Sequence, residues 1–127
     1  MTGKRNEAVG RRRFPRWVYD RGAEPDPRFS LANERTFLAW IRTSLALVAA
    51  GVAVRAVQVP LPSGFRYVAA ALLVVLGLAA AGQGWVGWTR TERALRENRA
   101  LPAPSIGVVI TAGLVVVAAL VGLGSLL

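Results

Sequence analysis

The chain has 127 residues, 54% of them hydrophobic, and a net charge of +9 carried by fifteen arginines and one lysine. With no cysteine and no histidine, it is denied disulfides, thiol chemistry, Cys/His zinc sites and imidazole acid–base catalysis. A soluble protein this basic would suggest nucleic acid, but a mean hydropathy of +0.41 places most of the chain in long apolar runs and points to a membrane instead.

Residues 1–29 read as a basic tail. It contains Arg11-Arg12-Arg13, Pro15, Pro25 and Pro27 and has no apolar periodicity, so little regular structure is expected up to about residue 30. The Arg12-Arg13-Phe14 stretch is not an export signal, because no apolar segment follows and Pro15 interrupts at once. A solvated tail lying on anionic headgroups, with Trp17 and Tyr19 as interfacial anchors, accounts for these residues.

A three-helix membrane domain is expected over residues 30–127, with spans at about 36–59, 67–88 and 106–127. Ser30 is the expected N-cap of the first helix, with Asn33 and Glu34 in its first turn. Pro60, Pro62 and Gly64 then make a turn. The second run, Tyr67 to Trp88, has 22 residues without a charge. At 1.5 Å per residue it covers about 33 Å, enough for a hydrocarbon core of roughly 30 Å. The third, Ile106 to Leu127, is equally long. Between them, Thr89–Pro104 carries Arg90, Arg93, Arg96 and Arg99, and its first residues continue the second helix beyond the membrane. The fold class is therefore all-α, integral to the membrane. Barrel strands would alternate polar and apolar residues, and these runs do not.

Basic residues set the orientation. Ten lie between the amino terminus and Arg42 and four in the second connection, against Arg55 and Arg66 around the first. The amino terminus and second connection are thus expected in the cytoplasm, and the first connection and carboxy terminus outside. Trp40, Trp85 and Trp88 then mark the inner interface, with Phe65 and Tyr67 at the outer one.

Arg35 and Arg42, seven residues apart, share a helix face with Ala39, Ala46, Ala49 and Ala53. One reading is helix packing with arginines snorkelling to headgroups. The other is a face turned to a pathway, presenting cations to an anion at its inner mouth. Glu34 is either a partner carboxylate for these arginines or a helix-start charge. Arg55 is expected to snorkel outward, and Gln83 to bond across to a neighbouring helix. Small-residue seams run along the second helix (Ala70, Gly77, Gly84) and the third (Gly107, Thr111, Ala118, Gly122, Ser125), favouring close packing within or between protomers. The arginines of Thr89–Pro104 give a partly basic face for headgroups or for an anionic substrate.

The stretch from Asp26 to Leu47, and above all Asn33-Glu34-Arg35-Thr36-Phe37-Leu38-Ala39-Trp40, resembles the signature of the YidH-like family, a domain of unknown function in small bacterial membrane proteins. The likeness covers about residues 14–127 and includes the arginine-rich segment after the second span. That domain is similar in turn to the membrane portion of the eukaryotic vacuolar transporter chaperone complex, where five three-helix units surround a polyphosphate pore. The resemblance implies basic residues at Arg28 and Arg35 lining an inner mouth, Glu34 as their acidic partner, and Arg90 or Arg93 as a basic position after the second helix. Arg42 follows the bacterial pattern only, and the chain shows neither the polymerase nor the phosphate-sensing domain of the eukaryotic complex.

The expectation is an oligomeric, non-enzymatic unit that binds or conducts an anion, polyphosphate-like by that resemblance. Arg28, Arg35, Arg42, Arg90 and Arg93 would form its site. No catalytic residue, metal ion or cofactor is expected, and no nucleic acid. The bilayer with its anionic headgroups and further copies of the chain are the expected partners. The alternative is a scaffold or accessory membrane subunit without transport.

Overall fold

The structure, a computed structural model, describes residues 13–102 and 106–127. Its described residues form four helices and no strand: α1 (Arg16–Tyr19), α2 (Pro27–Ala56), α3 (Ser63–Arg96) and α4 (Ile106–Ser125). The last three are long and apolar enough to cross a membrane. At 1.5 Å per residue, α3 with its 34 residues is about 51 Å long, well beyond a hydrocarbon core of roughly 30 Å. Helix α3 therefore does continue past the apolar Tyr67–Trp88 run, as the sequence implied.

Helix α2 starts three residues before the expected Ser30. Asp26 is the cap: its Oδ1 accepts the Arg28 backbone N–H at 2.9 Å. Pro27 follows at the first helical position, where a missing N–H costs nothing. Ser30 is thereby released from capping and lies inside the helix. The other end falls at Ala56, a few residues short of Val59, ahead of Pro60, whose ring disfavours helix in the residue before it. Helix α3 ends at Arg96, where Asn98 takes the left-handed conformation (φ 52°) and the Arg99 N–H reaches back to the Ala94 carbonyl at 2.9 Å.

The described residues divide into two compact units, one of residues 13–37 and 85–102, the other of 38–84 and 106–127. The second is an apolar three-helix unit. Leu47, Ala69, Leu73, Leu76, Ala80, Ile110 and Val117 form its core, with Trp40, Val54 and Val121 packed against them. Helix contact is close where small residues allow it. A Cβ on Gly77 would lie 2.6 Å from Val48 Cγ2 and 3.0 Å from the Ser44 carbonyl oxygen. The α3 seam of Ala70, Gly77 and Gly84 is buried and packs within the protomer. The α4 seam differs: Thr111, Ala118, Gly122 and Ser125 are exposed, while Ile110, Val117 and Gly124 face inward. Leu45, Val52, Val75, Leu78, Val108 and Val115 are exposed too, as suits a surface solvated by lipid tails.

Among the described residues before α2 there is one turn of helix, Arg16–Tyr19, with Pro15 and Val18 fully buried. Lys4, Arg5, Arg11 and Arg12 of the basic tail lie outside the described residues. Gln83 is half-buried and makes no side-chain hydrogen bond among the described residues. Trp40 packs against the apolar core of the second unit. In the first unit Trp85 and Trp88 stack on each other, with ring centroids 5.7 Å apart.

Candidate functional site

Polar chemistry concentrates in the first unit, around the charged end of α3. Three arginines there, Arg90, Arg93 and Arg99, line an open cleft of about 650 Å³ together with Ala94, Ala100 and Pro102. Arg90 and Arg93 are three apart on α3 and so share a face; Arg99 joins them because the left-handed turn at Asn98 folds the chain back. Arg99 pairs with Glu97. Neither Arg90 nor Arg93 has a carboxylate within ion-pair distance among the described residues. Arg93 Nε is buried and donates to nothing there. The cleft thus carries two guanidinium groups without a carboxylate partner, those of Arg90 and Arg93, while the Arg93 Nε itself is buried.

The remaining sequence-predicted residues are elsewhere. Arg28 is exposed and ion-paired with Asp26 at 3.0 Å, and the same contact, reinforced by the Arg28 backbone N–H, holds the Asp26 carboxyl below its usual pKa. Arg35 and Arg42 are both exposed, as are Ala39, Ala46, Ala49 and Ala53, so the small-residue stripe faces away from the helices of its own protomer. Glu34 is exposed, with no arginine within ion-pair distance among the described residues. Arg55 stacks over the Tyr67 ring at 5.2 Å. Within the first unit the structure thus brings Arg90 and Arg93 together and does not gather Arg28 or Arg35 around them; Arg42 belongs to the second unit.

Beside the cleft is a buried polar knot that the sequence did not announce. Glu92 is 3% exposed. Its Oε1 accepts from Ser30 Oγ at 2.9 Å, and its Oε2 accepts from Asn33 Nδ2 at 3.2 Å. The same amide nitrogen also donates to the Trp88 carbonyl at 3.1 Å. One turn further on, Arg96 is 5% exposed. Its Nε donates to the Arg21 carbonyl at 2.9 Å, its Nη2 to the Tyr19 carbonyl at 2.8 Å, and its guanidinium stacks 5.1 Å over the Tyr19 ring. The segment before α2 is bound to α3 in this way. Gly22 makes the approach possible: at φ +58° it lies so near Arg96 that a Cβ would fall 2.0 Å from the Arg96 carbonyl oxygen. The signal available in sequence was the spacing of Trp88, Glu92 and Arg96 at successive fours, which puts all three on one α3 face.

The DUF202 domain of unknown function matches residues 28–94, a range that includes Ser30, Asn33, Trp88 and Glu92 of the knot but not Tyr19, Arg21 or Arg96. Inner membrane protein YidH of Escherichia coli K12 is 43% identical over 101 residues, spanning 79% of this chain and 88% of YidH. An uncharacterized protein of Mycobacterium tuberculosis H37Rv is 44% identical over 95 residues, spanning 74% of this chain and 78% of the relative. No solved structure matches at a significant level. With three apolar helices and this likeness, the chain is a multi-pass membrane protein and belongs to the YidH-like family of inner-membrane proteins with a DUF202 domain.

Proposed function

We propose that the protein is a non-enzymatic, anion-binding membrane unit whose site is the Arg90–Arg93–Arg99 cleft, on the cytoplasmic side. Two arginines that line one open cleft and have no carboxylate within ion-pair distance among the described residues, Arg90 and Arg93, support this reading most directly. Planar guanidinium groups favour ligands with paired oxygens, which makes phosphate the first ligand to test. Analogy with the vacuolar transporter chaperone extends this to polyphosphate. Three helices are too few to enclose a wide aqueous route, so conduction would require several copies. The exposed α4 seam and the exposed Arg35–Arg42 stripe of α2 are the surfaces on which they would meet.

Binding of short-chain polyphosphate to the purified chain in detergent tests the site. Losing one charge-assisted hydrogen bond costs about 1.5–3 kcal/mol, so Arg93→Ala should weaken binding by roughly tenfold or more. Equal binding by the wild type, Arg90→Ala and Arg93→Ala would exclude the cleft. Liposome flux with Arg35→Ala and Arg42→Ala then tests conduction: a conduit loses anion passage while remaining folded.

A scaffold without transport is the second reading. The outward direction of Arg35 and Arg42 favours it, since headgroups alone would satisfy exposed guanidinium groups at a helix end. Liposomes without anion passage in the wild type would support it.

A further inference from the structure

The buried and exposed residues of the segment before α2 alternate. Pro15 and Val18 are the largest fully buried side chains among the described residues, whereas Phe14 is 76% exposed and Trp17 50%. The latter two pack edge to face, ring centroids 5.9 Å apart. Sequence pattern suggested Trp17 and Tyr19 as paired anchors. The structure separates them: Tyr19 turns inward between Arg96 and Trp88, its ring 6.2 Å from the indole, and Phe14 takes its place beside Trp17. Arg96 and Gly22 fix the segment to α3, so the outward aromatic pair is held on a folded support.

We propose that Phe14 and Trp17, flanked by Arg16 and Arg21, form a hook that docks in the headgroup layer of an anionic bilayer.

Three observations select lipid as the occupant. Tyr19 touches Trp88, the last residue of the uncharged Tyr67–Trp88 run, where the apolar span gives way to charge. Trp17 lies two residues from Tyr19, within about 7 Å along the chain, so the hook is close to that boundary. Indole and phenyl rings prefer this depth. Arg16 and Arg21 are exposed, and no carboxylate lies within ion-pair distance of either among the described residues. Residues 1–21 carry seven basic side chains against two acidic ones, a charge that complements an anionic leaflet. The hook is separate from the arginine cleft, so either can fail without the other.

The test uses the full chain in nanodiscs of phosphatidylcholine alone or mixed with phosphatidylglycerol. The emission difference between wild type and Trp17→Phe isolates Trp17. Lipids brominated near the headgroup should quench that difference, more strongly when phosphatidylglycerol is present, and aqueous iodide should not. Arg16→Glu with Arg21→Glu should abolish the dependence on phosphatidylglycerol. A fluorophore on Phe14→Cys, the only cysteine in such a variant, reads the same contact and guards against misfolding of Trp17→Phe. Quenching by iodide and not by brominated lipid in the anionic discs would overturn the proposal. Protection from both quenchers would overturn it as well, because protein and not lipid would then cover the pair.

Discussion

A carboxylate removed from water needs a donor for each oxygen that it turns inward, and Glu92 obtains its donors from a helix far away in sequence. Ser30 and Asn33, one turn apart on α2, reach its two oxygens separately. Asn33→Ala removes a donor from both Glu92 and the Trp88 carbonyl, and Glu92→Ala leaves the Ser30 hydroxyl and the Asn33 amide short of an acceptor. Each change should cost about 1–3 kcal/mol, the usual penalty for a stranded buried polar group. The double variant should lose less than the sum of the two, with a coupling of about 0.5–3 kcal/mol. Glu34→Ala, at an exposed position on the same helix, should stay within about 0.5 kcal/mol of wild type. Thermal unfolding in detergent gives all four numbers. Strict additivity would mean that the Asn33–Glu92 contact contributes little, and that α2 and α3 meet here through other contacts such as the Phe37 and Trp88 rings, centroids 6.5 Å apart.

Among the helices, van der Waals fit carries the packing, since lipid tails compete equally for apolar surface. Glycine positions are therefore where α2, α3 and α4 are most easily disturbed. A Cβ on Gly77 meets both a valine methyl and the backbone oxygen of Ser44, which cannot yield; one on Gly82 meets nothing within 4 Å. Overpacking should make Gly77→Ala destabilising by about 1–3 kcal/mol. Gly82→Ala should be neutral or stabilising by up to about 1 kcal/mol through the better helix propensity of alanine. Gly113→Ala should fall between them, because it presses on the terminal methyls of Leu76, the mobile end of a side chain. Equal melting temperatures for Gly77→Ala and Gly82→Ala would refute the close α2–α3 contact. The spans were legible in sequence because uncharged runs of this length have few alternatives, and the α3 seam because its small residues recur every seven positions. On α4 the same reasoning chose the outer face. Apolar residues surround that helix, so no face distinguishes itself, and the inward Ile110–Val117–Gly124 row has the same spacing. The knot was illegible for another reason: Asn33 and Glu92 are 59 residues apart, and each has a satisfactory local reading as a helix-end residue. Of the candidate site, Arg90 and Arg93 followed from spacing. Arg99 depended on the turn at Asn98, which nothing in the residue pattern required.

For the molecule as a whole, orientation decides what the arginines can meet. Ten basic residues lie between the amino terminus and Arg42 and four follow the apolar run of α3, against two around the first connection. Moving one charge across a potential of 100 mV is worth about 2.3 kcal/mol, and translocating the amino-terminal arginines would require many such transfers. The absence of cysteine makes the test direct, because each introduced thiol is the only one. In spheroplasts, a membrane-impermeant maleimide should label Ser63→Cys and Leu126→Cys, both exposed at helix ends, and should reach the exposed Ala100→Cys only after lysis. The opposite labelling pattern would put the arginine cleft and the aromatic hook outside the cell. The cleft would then face a compartment without cytoplasmic phosphate esters, and the hook a different leaflet. Labelling of all three before lysis would mean a mixed population, with the basic residues too evenly balanced to choose a side. Fourteen basic residues on one side against two on the other favour a single orientation, so the three thiols are expected to report one topology, with the cleft on the cytoplasmic side.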